Sequence, residues 1–172
     1  MIKIGLIAMS GVRAHDPELT RLGLTLPGFV DRNRIIASMP SLSLLTLAAL
    51  TPDRFEVAYH EIADLKSQTA LLEDFDLVAI TSFSAQIFEA YAVADFYGAR
   101  NMPVVRGGLN VTSLPEEALA HCTSVVVGEG EPLWPEVLRD FERGTLQPVY
   151  RQVIPGSFDL ADSPVPRYDM LD

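Results

Sequence analysis

Small, hydroxyl-bearing and glycine residues collect directly after four apolar runs of this sequence. They are Ser10 and Gly11; Thr81, Ser82 and Ser84; Gly107 and Gly108; and Gly128, Glu129 and Gly130. Hydroxyls and bare backbone can hydrogen-bond a polar ligand, and adjacent glycines let a bulky group approach the chain closely. No group pairs a nucleophile with a base, so the pattern indicates binding, and we expect no catalytic residue in this chain.

Each group also has a structural explanation. A tight strand-to-helix turn accounts for one glycine of the Gly107–Gly108 pair, and helix capping accounts for one hydroxyl of the Thr81–Ser84 group. The segment "VVVGEGEP" at Val125–Pro132 has three interpretations: a phosphate cradle, a structural corner or a wall of a larger pocket. Its carboxylates oppose a pyrophosphate, and a dinucleotide fingerprint, a P-loop and the G-x-S-x-G motif are missing from the sequence.

Five apolar runs of strand length are separated by segments with helical patterning. The runs are Lys3–Met9, Phe55–His60, Asp76–Thr81, Met102–Arg106 and Ser124–Gly128. Near-continuous Val, Ile and Leu is typical of strands covered on both faces. The alternation predicts an α/β, flavodoxin-like (Rossmann-type) doubly wound sheet of five parallel strands in the order 2-1-3-4-5. In such sheets ligands bind beyond the carboxyl ends of the strands, where all four groups fall.

Two segments fall outside this alternation. Residues 10–39 form a long connection after the first run, and long loops in compact domains tend to be functional or disordered. The segment from Gln147 onward contains prolines and has no periodicity. We therefore expect a domain over residues 1–146 and a proline-rich linker over 147–172.

Composition excludes several classes of partner. The chain has 172 residues, 48% hydrophobic and 21% charged, with a net charge of −10 and one cysteine. Nucleic-acid binding needs clustered Lys and Arg, which this charge opposes. No stretch is apolar enough for a membrane span, and a single cysteine suits a reducing compartment, so we expect a cytoplasmic protein.

Histidines supply the candidate metal ligands. His15 lies in the long first connection beside Asp16 and is either a ligand, a base or a solvent-exposed loop residue. His60 and His121 fall at element ends, where they have structural explanations. No two histidines have ligand spacing, which argues against a metal site built by this chain alone.

Four segments resemble, in their order and spacing, the cobalamin-binding domain of cobalamin-dependent radical S-adenosylmethionine enzymes. They are "PSLSLLTLAAL", "DLVAITSFSAQIFEAYAVA", "VVRGGLNVTSLPEEAL" and "SVVVGEGEPLWPEVL", within residues 40–145. The resemblance implies cobalamin held over the strand ends with its nucleotide tail directed towards the sheet. Position by position, it assigns Thr81-Ser82-Phe83 to the family's Ser-x-hydrophobic turn, and Gly107 and Gly108 to making room for the tail. Gly128-Glu129-Gly130-Glu131 matches the family's acidic glycine turn.

Two family motifs differ or are missing. Some cobalamin enzymes carry Asp-x-His-x-x-Gly, whose histidine binds cobalt; His15 has neither the aspartate nor the glycine of that pattern. We therefore expect base-displaced cobalamin without a protein histidine on cobalt. The cysteine motif for an iron-sulfur cluster is also missing, so the cluster and S-adenosylmethionine would belong to a C-terminal radical domain outside this chain.

The resemblance thus implies a cobalamin-binding module of a larger enzyme that carries out methyl transfer or related radical chemistry. The alternative is a stand-alone flavodoxin-like protein that binds flavin or a nucleotide in the same loops.

Overall fold

A six-stranded parallel sheet forms the centre of this computed structural model, which describes residues 1–12, 37–63, 65, 74–154 and 156–171. Its strands are β1 (Ile2–Met9), β4 (Phe55–Ile62), β5 (Leu77–Ser82), β6 (Val104–Arg106), β7 (Ser124–Val127) and β8 (Val149–Arg151). They lie in the order β4-β1-β5-β6-β7-β8. A separate antiparallel pair joins β2 (Gly11–Val12) to β3 (Ala37–Ser38).

Helices cover both faces of the sheet. They are α1 (Leu42–Leu50), α2 (Ile87–Gly98), α3 (Leu109–Ser113), α4 (Pro115–Leu119) and α5 (Trp134–Glu142). Short 3₁₀ turns occupy Ser84–Gln86, Leu160–Asp162 and Tyr168–Met170. Buried residues of α1 and α5 pack against one face, and those of α2 pack against the other. This two-sided cover explains why the central strands are rich in Val, Ile and Leu.

The predicted α/β class and parallel order are consistent with the structure, but the predicted number of strands is wrong. The sixth strand, β8, pairs with β7 in the register Val125↔Val149 to Val127↔Arg151. Tyr150 anchors it: the side chain is buried and its hydroxyl donates to Asp140 Oδ2 over 3.0 Å. Residues 149–151 therefore belong to the sheet, although the sequence places them in the linker.

The chain after β8 also contacts the folded body. The backbone N–H of Arg167 donates to the carbonyl oxygen of Leu45 in α1 over 3.1 Å, and Met170 packs against the core. Within the described residues, no helix has the length and apolar character required to cross a membrane.

Candidate functional site

A cavity of about 230 Å³, which we call the inner cavity, opens between α1 and the carboxyl ends of β5, β6 and β7. Its walls are mostly apolar side chains from α1, the sheet and α5: Leu44, Leu47, Val105, Val126 and Trp134. Backbone and small polar residues complete it at the strand ends. The cavity therefore combines an apolar interior with a polar edge, as ligand sites in proteins commonly do.

Most of the predicted site residues line this cavity or the one beside it. The inner cavity is lined by Thr81, Gly107, Gly108, Gly128, Glu129 and Gly130. A second space of about 490 Å³, the outer cavity, is lined by Ser10, Ser82 and Phe83. Both cavities share Ser43, Thr81 and Gly108, so they meet at the ends of β5 and β6.

Three predicted positions fall elsewhere. Ser84 begins a 3₁₀ turn and is not among the residues that line either cavity. Gly11 lies in β2, where it pairs with Ser38. His15 lies outside the described residues.

Gly107 and Gly108, the adjacent glycines after β6, differ in backbone conformation and in the space around them. Gly108 has φ +110°, and a Cβ there would lie 2.9 Å from Thr81 Oγ1. Gly107 has no such backbone requirement, and its added Cβ would make an ordinary 3.7 Å contact with Val126, a wall of the inner cavity. Gly108 is therefore needed by the turn, whereas Gly107 leaves room beside the cavity wall.

The acidic turn Gly128–Glu131 is held from both sides. Gly128 N donates to Thr112 Oγ1 over 3.1 Å, and Trp134 N donates to Gly130 O over 2.8 Å at the start of α5. Gly128 has φ +103°, and a Cβ there would lie 2.8 Å from Gln152 Oε1. The first glycine of the turn is therefore required by the approach of Gln152 from beyond β8.

We expect Gly128→Ala to lower the free energy of unfolding by about 2 kcal/mol, because it adds a steric overlap with Gln152 to an unfavourable φ. Gly144→Ala is the matched control, since Gly144 has φ +67° but no atom within 4 Å of an added Cβ. The Gly144→Ala substitution should lower the free energy of unfolding by about 1 kcal/mol, because it introduces only the unfavourable backbone conformation. Urea denaturation measures both values, and equal losses would show that the Gln152 contact does not constrain the turn.

Trp134 joins the inner cavity to the core. Its side chain is 1% exposed, and its indole N–H donates to Thr51 Oγ1 over 2.9 Å. The Thr51 hydroxyl in turn donates to Leu47 O over 2.7 Å. Two of the three residues, Leu47 and Trp134, line the cavity, so this chain of bonds fixes α1 relative to α5 across it.

Sequence reasoning missed the contribution of α1 and the role of Gln152. The signal for α1 was present, because "LSLLTLAAL" is apolar on nearly every side and only part of that surface can face the sheet. Gln152 gave no comparable signal in a proline-rich segment. Its position against the acidic turn follows from β8, which the sequence pattern did not indicate.

Burial shifts the pKa values of two groups near the sheet, Cys122 and Arg106. Burial raises the pKa of the Cys122 thiol to about 11, so the thiol stays protonated at neutral pH. Arg106, which directly precedes Gly107, is fully buried with its guanidinium carbon 4.4 Å from the centre of the Tyr91 ring. Burial lowers the pKa of Arg106 from its ordinary value. In the described part of the chain, no three His, Cys, Asp or Glu side chains are grouped to hold a metal.

Two curated proteins of Chlorobaculum tepidum are similar to this chain. One is the bacteriochlorophyllide d C-12(1)-methyltransferase, 38% identical over 117 residues, which cover 66% of this chain and 25% of that protein. The other is the bacteriochlorophyllide d C-8(2)-methyltransferase, 35% identical over 111 residues, which cover 63% and 24% respectively. The chain thus spans about a quarter of the length of these relatives. No family model and no solved structure matches it.

Proposed function

We propose that this chain is a cobalamin-binding module of a larger methylating enzyme. The observation that carries the proposal is the inner cavity at the carboxyl ends of β5, β6 and β7, with Gly107, Gly108 and the Gly128–Glu131 turn in its wall. The two methyltransferase relatives are about four times as long as the segments that match this chain. This supports the proposal that the chain is one part of a longer enzyme. When bound, cobalamin would supply a cobalt centre that carries a methyl group.

The cavities fit the two parts of cobalamin. The apolar walls of the inner cavity suit the aromatic nucleotide tail, and Gly107 leaves space at the wall for it to enter. The outer cavity is larger in volume and is lined by Ser10, Ser82, Leu42 and Phe83, a mixture that suits a corrin ring with amide arms. The residues of this chain would therefore bind and orient the cofactor and exclude water from its tail.

The catalytic groups would lie outside the described domain. We propose that the iron-sulfur cluster and S-adenosylmethionine bind in a C-terminal radical domain, reached through the residues after β8. The resemblance in motif order supports this arrangement, and the single cysteine of the chain cannot supply the ligands of such a cluster. A reducing compartment, the cytoplasm, suits both the cluster and the free thiol.

A flavodoxin-like flavin- or nucleotide-binding protein is the alternative. Against it, the strand-end loops of β6 and β7 offer glycines and carboxylates, and among the described residues no Lys or Arg side chain lines either cavity. The terminal phosphate of a flavin mononucleotide or a nucleotide is a dianion that favours Lys or Arg, whereas the phosphodiester in the tail of cobalamin carries a single charge. Purified protein that retains flavin would support this alternative.

We expect cobalamin to bind with its own base displaced and with no protein imidazole on cobalt. The electron paramagnetic resonance spectrum of the cob(II)alamin-loaded protein should lack the triplet splitting that an axial nitrogen produces. His15→Ala is the control and should leave the spectrum unchanged. Triplets that disappear in His15→Ala would identify His15 as the ligand and contradict the prediction.

A further inference from the structure

Glu129 in the pocket wall and Gln152 after β8 exchange two hydrogen bonds. Glu129 N donates to Gln152 Oε1 over 3.2 Å, and Gln152 Nε2 donates to Glu129 Oε2 over 2.5 Å. Gln152 is 8% exposed, so its amide is largely removed from water. A buried amide that loses its partners costs more free energy than the bonds contribute, which makes this pairing specific.

The same carboxylate holds a second point of the chain beyond β8. Phe158 N donates to Glu129 Oε2 over 3.3 Å, and Gln152 Nε2 also lies 3.3 Å from Ser157 Oγ, to which it donates. Gln152 is itself fixed to the sheet, because its backbone N–H donates to Val127 O over 3.1 Å. Glu129 therefore connects the wall of the inner cavity to the chain on both sides of the turn after β8.

We propose that Gln152 is a positioning residue that couples the cavity wall to the segment following β8. This proposal rests on the proposed function. It means that cobalamin bound in the inner cavity stabilises the contacts of Gln152 and Phe158 with Glu129, and that these contacts stabilise bound cobalamin. The coupling follows from thermodynamic reciprocity: a ligand that favours one arrangement of Gly128–Glu131 also favours the chain position that goes with it. Binding of the cofactor would thereby stabilise the position of the residues that follow β8.

Hydrogen exchange of the ligand-free, 172-residue chain tests the contact without any cofactor. Gln152→Glu removes the donor and places a second carboxylate beside Glu129, so the amides of Glu129 and Phe158 should exchange about tenfold faster. Glu129→Gln combined with Gln152→Glu reverses the polarity of the pair and restores both bonds, since residue 129 then supplies both donors. In this double variant the Glu129 amide should return to nearly its original exchange rate, whereas the Phe158 amide should stay fast, because an NH2 group takes the place of its acceptor Oε2.

Gln147→Ala is the matched control, because Gln147 is an exposed amide of the same segment and its side-chain nitrogen donates to Thr145 O over 2.7 Å, away from Glu129. It should leave exchange at Glu129 and Phe158 unchanged. Unaltered exchange of Glu129 and Phe158 in Gln152→Glu, or failure of the double variant to restore the exchange rate of the Glu129 amide, would overturn the proposal.

Hydroxocobalamin is then added to the same variants. In the unchanged protein it should slow exchange of the Phe158 amide, and in Gln152→Glu it should not. Cobalamin that binds without affecting Phe158 would refute the coupling. Protein that takes up no cobalamin would refute the proposed function instead, while the ligand-free exchange still decides whether Gln152 positions the wall.

Discussion

Replacing Gly107 by valine should leave a folded protein with at least about 100-fold weaker affinity for cobalamin, a loss near 3 kcal/mol. Gly107 has no positive φ, and its added Cβ meets only Val126 at ordinary contact distance, so the backbone can accept the change. The two methyl groups would then occupy space at the wall of the inner cavity, where we place the nucleotide tail. Isothermal titration with hydroxocobalamin measures the affinity, and thermal unfolding shows whether the fold is intact.

Two further variants show whether the loss of cobalamin affinity arises because the valine side chain fills part of the inner cavity. Gly98→Val makes the same change at the end of α2, where nothing lies within 4 Å of an added Cβ, and should bind normally. Gly108→Ala should instead destabilise the protein by about 2 kcal/mol, because its φ of +110° and its contact with Thr81 Oγ1 oppose any side chain. Full affinity in a folded Gly107→Val variant would show that the ligand lies elsewhere.

Trp134→Ala should lower the free energy of unfolding by about 3–5 kcal/mol, the usual cost of deleting a buried aromatic side chain. The indole is 1% exposed and packs in the core shared by α1, α5 and the sheet. The change also removes the hydrogen bond to Thr51 that links α5 to the end of α1. Urea denaturation monitored by circular dichroism measures the loss.

Trp134→Phe is the matched control, since it keeps an aromatic ring in the core and removes the indole donor. It should cost about 1–2 kcal/mol, because Thr51 Oγ1 keeps its own bond to Leu47 O. An alanine variant that loses less than about 1 kcal/mol would mean that the core relaxes around the deleted ring and that Trp134 does not hold α1 and α5 together.

The alternating elements could be predicted from sequence because their signal is local. The runs at β1 and β5, for example, are apolar over most of their length, as is typical of a strand covered on both faces. The strand β8 has only three residues after Pro148, and its stability comes from pairing with β7 and from the Tyr150 hydroxyl bond to Asp140. Such contacts join distant parts of the chain, and composition does not reveal them.

The meeting of three loops at one cavity could also be predicted, because parallel strands bring their carboxyl ends to the same edge of a sheet. The separate roles of Gly107 and Gly108 could not, since both are simply glycine in the sequence and only φ distinguishes them. The role of Glu129 could not be predicted either. In the sequence it is only a charged residue near the expected pocket, whereas in the structure its carboxylate accepts hydrogen bonds from Gln152 and Phe158.

The visible spectrum of the protein after mixing with hydroxocobalamin and gel filtration tests the central claim most directly. The proposed function predicts corrin absorbance that elutes with the protein, in proportion to its concentration, and that is strongly reduced for Gly107→Val. Protein that elutes free of corrin absorbance while its thermal unfolding shows an intact fold would contradict it.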